Sequence, residues 1–395
     1  MSRRWSDFDE SDVKVRPNKR GSRPRTKESP DHPDAELGRV ITVDRGRYRV
    51  HMHRADDGER LVTAVRAKAL RRSPIVPGDV VALVGDTSGG EGTLARLVRI
   101  EERATLLRRS ADDTDDAERV VVANADQLLI VVAAADPAPR TGFIDRALVA
   151  AFEAGIEPIL LITKADLAAD PADPAGLLAH YAELSLTTVV SRRRDAESDA
   201  GAGDDAGEDA DADADALDEQ AVARLHTLLD GHVTAMIGHS GVGKSTMVNA
   251  LTGAERATGG VNDVTGRGRH TSSSAVALRL RTAGEVSSSA GADEAGSAAG
   301  VSWIIDTPGV RSFGLAHVDP DGVLAAFEDL VEGSADCEPG CAHESPQGGC
   351  ALDAWVAAGR AGDHGPARLA SLRGLLSSLA GSAEEQDEKR LGSSP

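Results

Sequence analysis

The sequence predicts a multidomain chain: a small N-terminal β-barrel, a central parallel α/β domain and a short C-terminal helical domain tied together by cysteines. Three observations carry that reading. Residues 36–105 break into short β-rich runs separated by RG, DDG, PG and SGG turn signals. Beyond residue 120 long apolar runs alternate with helical patterns, as in a parallel sheet covered on both faces. All three cysteines of the 395-residue chain fall between positions 337 and 350.

Residues 1–35 are polar and mixed in charge, and read as a mobile arm whose cluster RPNKRGSRPRTK suits RNA phosphates or is an ordinary charged tail. They lack the apolar stretch of a secretory signal. No apolar run approaches the roughly 18 residues that a membrane span needs. The expectation is therefore a cytoplasmic chain that meets no membrane. The net charge of −20 argues against a nucleic-acid partner, but it is unevenly spread. Residues 195–219 hold 12 acidic and no basic side chains, and without them the balance is −8. That acidic segment is low in complexity and reads as a disordered insert.

The barrel region, 36–110, contains the runs GRVITVDRGRYRVHM, ERLVTAVRAKAL, GDVVALVGD and GTLARLVRI. Residues 39–109 carry 15 Lys/Arg against 9 Asp/Glu. A five-stranded oligonucleotide-binding (OB-type) barrel fits both the length and this basic balance. Tyr48 is the one aromatic residue in these strands. Binding would then lean on backbone charge more than on base stacking.

The α/β domain spans 120–315. VVVANADQLLIVVAAAD and EPILLITKAD hold buried strands, and TGFIDRALVAAFEAGI between them has helical period. Further on, HVTAMIG reads as a strand and STMVNALTG as a helix. Between them the stretch IGHSGVGKST satisfies G-x-x-x-x-G-K-[ST] through Gly238, Gly243, Lys244 and Ser245. Strand, loop and helix together make a phosphate loop. The backbone of Gly238, His239, Ser240, Gly241, Val242, Gly243, Lys244, Ser245 and Thr246 curls so that N–H groups and the helix N-terminus face phosphate oxygens. Lys244 is placed to reach the β- and γ-phosphates, and the Ser245 hydroxyl to hold Mg²⁺.

The base-choosing part lies upstream. TKAD, residues Thr163, Lys164, Ala165 and Asp166, ends a buried strand, where open α/β sheets place ligand contacts. It resembles the N-K-x-D loop of GTPases, whose Asp accepts two hydrogen bonds from guanine and whose Lys packs on the base. The strand LSLTTVVS ends at Ser191, the position of a second base-contacting loop. Downstream of the phosphate loop, VSWIID leads into DTPG, where Asp306 would hold the Mg²⁺ shell and the Gly309 N–H would contact the γ-phosphate. GRGRHTSSS carries Thr271, the expected switch residue on Mg²⁺ and γ-phosphate. A Gly/Ser/Ala-rich insert, 282–300, separates the two. The parts of a GTPase are thus present in a cut, circularly permuted order, and the second switch leads directly into the C-terminal domain. Val310 stands where many GTPases carry a water-orienting Gln, so intrinsic turnover should be slow and completed from elsewhere, by RNA, His270 or His239.

In the C-terminal domain, 316–380, CEPGCAHESPQGGC sets Cys337, Cys341, His343 and Cys350 as C-x₃-C-x-H-x₆-C. Three thiolates and one imidazole match a tetrahedral structural zinc site, with no open position for catalysis. LDAWVAAG and ARLASLRGLLSSLAG read as helices around it, and 381–395 as a frayed tail.

GHSGVGKST, GRGRHT, DTPGVRSFGL and RLASLRGLL, with the barrel, the permuted order and the Cys/His cluster, resemble the bacterial ribosome small subunit-dependent GTPase A family over residues 36–380. The resemblance implies GTP and GDP as ligands, Mg²⁺ and one structural Zn²⁺, and the small ribosomal subunit and its rRNA as partners; the chain is expected to be a monomer. It implies GTP hydrolysis, stimulated by the subunit, during late maturation of that subunit. Departures are Thr163 in place of Asn, the zinc spacing, and the acidic insert. The alternative function is an RNA-bound, GTP-dependent clamp with negligible turnover. An ATPase or kinase on the same loop is disfavoured by TKAD.

Overall fold

The computed structural model describes residues 32–54, 58–110, 118–184, 186–193, 217–253, 275–280, 301–307, 320–325, 327–346, 349–362 and 365–377. Nearly all of the arm 1–35, most of the acidic insert, the insert 282–300, the tail 381–395 and the positions His270, Thr271, Gly309 and Val310 lie outside them.

Five strands form the barrel: β1 (Glu36–Asp44), β2 (Arg47–Arg54), β3 (Gly58–Arg66), β4 (Val80–Gly85) and β5 (Ala95–Ile100). Their order is β1-β2-β3-β5-β4, and β4 closes onto β1 from Glu36↔Leu83 to Arg39↔Val80. Only β3 and β5 run parallel. The β1–β2 turn is the dipeptide Arg45-Gly46, both with positive φ (45° and 83°), the twist that a two-residue hairpin needs. Period-two alternation sends Tyr48, Val50 and Met52 inward to meet Val40, Val62, Leu83 and Leu97. Tyr48 is thus core, which removes the one aromatic of these strands from any stacking role.

A hairpin, β6 (Leu106–Ser110) and β7 (Glu118–Ala123), carries the chain onward. The apolar run read from the sequence therefore divides. VVVA belongs to this hairpin, Asn124 turns the chain with φ 56°, and the buried strand β8 starts at Gln127.

The second sheet holds β8 (Gln127–Ala133), β9 (Glu157–Thr163), β10 (Thr187–Val190), β11 (Val233–Ile237), β12 (Val276–Arg279) and β13 (Trp303–Asp306). The order is β10-β9-β8-β11-β13-β12, parallel except for β12 against β13. Strand β11, late in sequence, enters beside β8, so the permuted order closes into one continuous parallel sheet. All seven residues of β8 are buried. Leu128, Ile130 and Val132 face the core under helix α1 (Thr141–Glu153), which lies on one face. Leu129, Val131 and Ala133 face the core under α3 (Glu219–Leu229) and α4 (Lys244–Thr252) on the other. A short α2 (Leu177–Tyr181) packs beside α1.

Helices α5 (Pro320–Leu324), α6 (Glu328–Ser334), α7 (Ala351–Ala357) and α8 (residues 365–377) complete the chain. They join the α1 side of the core through Val323, Phe327, Leu330, Leu352 and Leu372. Arg368 clasps Asp329 at 2.7 Å and lies over the Phe327 ring, and Trp355 Nε1 donates to Asp329 O at 3.0 Å.

Candidate nucleotide site and metal cluster

The site sits at the carboxyl ends of β8, β9, β11 and β13. Strand β11 ends at Ile237 and the chain turns at Gly238, whose φ is 155°. A Cβ there would lie 2.4 Å from Val131 O on β8, so only glycine lets the loop start so close to the sheet. The loop closes at Gly243, and α4 begins with Lys244. Ser240, Gly241 and Ser245 are exposed at the mouth, Thr246 is half-buried, and Val242 is buried beneath. Lys244 Nζ curls back to donate to Gly238 O at 2.5 Å and His239 O at 2.6 Å, inside the ring of the loop. Burial pushes this ammonium below its ordinary pKa, and the Asp306 charge pulls it back up. Asp306 closes β13, and the next residue fixes that strand end to β11: Thr307 Oγ1 donates to Met236 O at 2.7 Å. The His239 ring meets Phe143 of α1 edge-on at 4.4 Å.

The TKAD loop stands beside this ring. Thr163 is 3% exposed, and its hydroxyl lies 2.7 Å from Val242 O and 3.1 Å from Val132 O. Lys164 turns the chain with φ 54° and donates its Nζ to Asp136 O in the loop after β8. Ala165 is buried, and its N–H donates to Ser191 O at 3.1 Å. Asp166 is exposed and accepts the Arg193 N–H at 2.8 Å, which leaves carboxylate lone pairs for a base. Ser191 is fully buried, and its Oγ has no hydrogen-bond partner among the described residues. The loop after β10 is thus latched to the TKAD loop at both Ala165 and Asp166.

Cys337, Cys341, His343 and Cys350 bring one ligand atom each to within 4.8 Å of one another. Both Cys337 Sγ and Cys350 Sγ lie 3.6 Å from His343 Nδ1. His343 turns with φ 58°, and Arg373 Nε donates to its carbonyl at 3.2 Å while clasping Asp353 on α7. Burial raises the Cys350 thiol to about 11. Three sulfurs and an imidazole held this close form the donor set that a metal ion taking thiolates needs.

Against known proteins, a model of the RsgA GTPase family matches residues 100–200 and 211–316. A "Small ribosomal subunit biogenesis GTPase RsgA" of Azotobacter vinelandii is 34% identical over 332 residues, covering 82% of this chain and 81% of the relative. One of Pseudomonas aeruginosa is 34% identical over 310 residues, covering 77% and 76%. The chain belongs to the RsgA GTPase family. The fold agrees: YjeQ from Thermotoga maritima superposes with a TM-score of 0.53 at 20% identity, covering 88% of this chain and 99% of that one. YloQ, a circularly permuted GTPase, gives 0.53 at 19%, covering 89% and 98%.

In this RsgA GTPase the described site residues read from sequence converge on one end of the sheet, except the four of the separate metal cluster. What spacing could not reveal are the backbone partners. Val132 O, Asp136 O, Val242 O, Met236 O and the Arg193 N–H hold the loops together, and main-chain groups leave no residue-type signal.

Proposed function

We infer that this RsgA GTPase binds GTP across the phosphate loop and the TKAD loop, and hydrolyses it to GDP and phosphate in late maturation of the small ribosomal subunit. The observation that supports the reading most is the Thr163–Val242 contact, which makes the base-choosing and phosphate-holding loops one unit. The relatives named above, each a small ribosomal subunit biogenesis GTPase, support the cellular role.

The roles divide as follows. Asp166 selects guanine by accepting from its N1–H and exocyclic amine, and Lys164 lines the base. Loop amides from Gly241 to Ser245 and the N-terminus of α4 hold the phosphates. Lys244 leaves its carbonyl partners for β- and γ-phosphate oxygens, where its charge meets the charge that develops in transfer. Water attacks the γ-phosphorus, and the bond to the β–γ bridging oxygen breaks. Ser245, Asp306 and Thr271 suit Mg²⁺, which when bound neutralises phosphate charge. Gly309 N–H approaches the γ-phosphate. Val310 follows Gly309 in the sequence and its apolar side chain cannot orient water, so that group is supplied by the subunit's RNA, by His270 or by His239. The Cys337, Cys341, His343 and Cys350 cluster suits one structural Zn²⁺, which when bound ties α6 to α7. The barrel contributes basic surface toward rRNA, and the protein acts as a cytoplasmic monomer.

GTP hydrolysis by the purified protein, alone and with purified small subunits, tests this. Strong stimulation supports the reading. Tight GTP binding with no stimulation and no turnover would favour the clamp instead.

A further inference from the structure

Among its contacts with the nucleotide domain, the barrel meets the sheet edge at β12. β12 and β13 pair over four residues, Val276↔Asp306 at one end and Arg279↔Trp303 at the other. At roughly 3.4 Å per residue the ladder is about 10 Å long. Its Asp306 end lies at the nucleotide site, where the Asp306 charge acts on Lys244. In the sequence, Thr271 lies five residues before Val276, the first residue of β12.

The barrel grips the far end. Arg279 NH1 lies 2.6 Å from Glu59 Oε2 on β3, and His51 Nε2 on β2 lies 3.4 Å from the same oxygen. The His51 ring meets Trp303 edge-on at 4.9 Å. Nearer the nucleotide, β1 makes a backbone bridge, Thr42↔Val276. The Arg279 and Glu59 side chains are 43% and 31% exposed. An ion pair that open adds only about 0–1 kcal/mol to stability. What it fixes is position, because β12 has a full strand partner on one side only. The outer face of β2 also carries Arg47 and Arg49, in period-two register with His51. A phosphate held by those arginines would load the strand two residues from the grip.

We propose that the Glu59–Arg279 pair, with His51 against Trp303, is a positioning device that relays contact of the small subunit with the barrel to the Asp306 end of β13 and the Val276 end of β12. It rests on the reading that the subunit stimulates hydrolysis. Neither residue touches nucleotide; both act through the ladder.

The test uses the full chain with Glu59→Gln, Arg279→Gln and the exchange Glu59→Arg with Arg279→Glu. Four quantities are read: basal turnover, kcat at saturating subunits, subunit Kd and melting temperature. Each single variant should lower the stimulated kcat about tenfold, within the range common for coupling between sites. Basal turnover, subunit Kd and melting temperature should hold, and the exchange should restore stimulation. Single variants stimulated as fully as the parent would sink the relay alone. So would a loss that follows subunit Kd or melting temperature, or an exchange that restores nothing. A parent protein that subunits fail to stimulate would overturn the functional reading and the relay together.

Discussion

The Thr163 hydroxyl lies 2.7 Å from Val242 O, a contact between residues 79 positions apart that joins the end of β9 to the phosphate loop. A hydroxyl has one proton to give. The Val132 carbonyl, at 3.1 Å, is the poorer acceptor, so the proton goes to Val242 O. Threonine therefore braces the two loops with a single donor, where the asparagine of related GTPases has two. The contact is buried, and a broken bond there has no water to replace it.

Thr163→Val tests that brace, since it keeps the shape and removes the donor. Leaving Val242 O without its partner should cost about 1–3 kcal/mol. GTP and GDP affinity should fall together, roughly 5- to 100-fold, with guanine selectivity kept because Asp166 is untouched. Titration with both nucleotides, and with ATP as competitor, reads this out. An unchanged GTP affinity would show that the brace is dispensable.

Gly238→Ala acts on the start of the loop. The added Cβ would sit 2.4 Å from Val131 O, a backbone atom in a buried strand that has no room to move. The loop must shift instead, against a φ of 155° that side chains avoid. We expect at least tenfold weaker GTP binding, from strain on the order of 1–3 kcal/mol, with the far-ultraviolet spectrum retained. Normal affinity in the variant would mean that the loop relaxes freely.

Metal removal should act at a distance from the nucleotide. Chelation, or Cys350→Ser, is expected to release one zinc per chain and loosen α6 and α7, because Cys350 immediately precedes α7 and the Ala351 N–H donates to Cys337 Sγ at 3.3 Å. Metal binding in small zinc sites contributes on the order of 10 kcal/mol, so a clear drop in melting temperature follows. GTP affinity should stay near its parent value. Zinc content by atomic emission, melting curves and nucleotide titration check the three parts, and a metal-free protein that melts at the parent temperature would contradict them.

What the sequence disclosed, and what it hid, follows the range of the forces involved. β8 was legible because both its faces are buried, which leaves an unbroken apolar run. The phosphate loop and the Cys/His cluster were legible because their chemistry demands fixed local spacing. The bridge Thr42↔Val276 was not, since a backbone pairing between distant segments leaves no mark on either. Nor was the hairpin β6–β7, because VVVA has the same composition whether it joins a parallel sheet or a hairpin. Asp218 sits in the acidic run 195–219 and reads as more of the same, yet its carboxylate accepts the Gln220 N–H at 2.8 Å and starts α3. The sequence places the strand end at Ser191, one residue past the observed end at Val190, and the latch from Arg193 N–H to Asp166 depends on main-chain direction alone.

The pair Asp145 and Tyr181 supplies a prediction that depends on pH. Tyr181 is 5% exposed and donates from its hydroxyl to Asp145 Oδ1 at 2.8 Å. Burial holds the phenol far above its ordinary pKa, so it remains a donor across the working range. Burial also pushes the Asp145 carboxyl above the usual carboxylate value, while the Tyr181 bond and the charges of His180 and Arg146 oppose that rise. A raised folded-state value means that the fold favours the neutral acid. The stability contributed by Asp145 is then fully present below its unfolded value of about 3.9 and is lost as pH climbs through the folded one. At neutral pH the ionised carboxylate opposes folding. Asp145→Asn keeps an acceptor for Tyr181 without the charge. Its melting temperature should exceed the parent's at pH 7, and the advantage should shrink toward zero as pH falls to 4 and below. Paired melting curves across that range decide it. An advantage that grows toward acid, or a less stable variant at pH 7, would mean that the hydrogen bond to the charged form outweighs the burial of that charge.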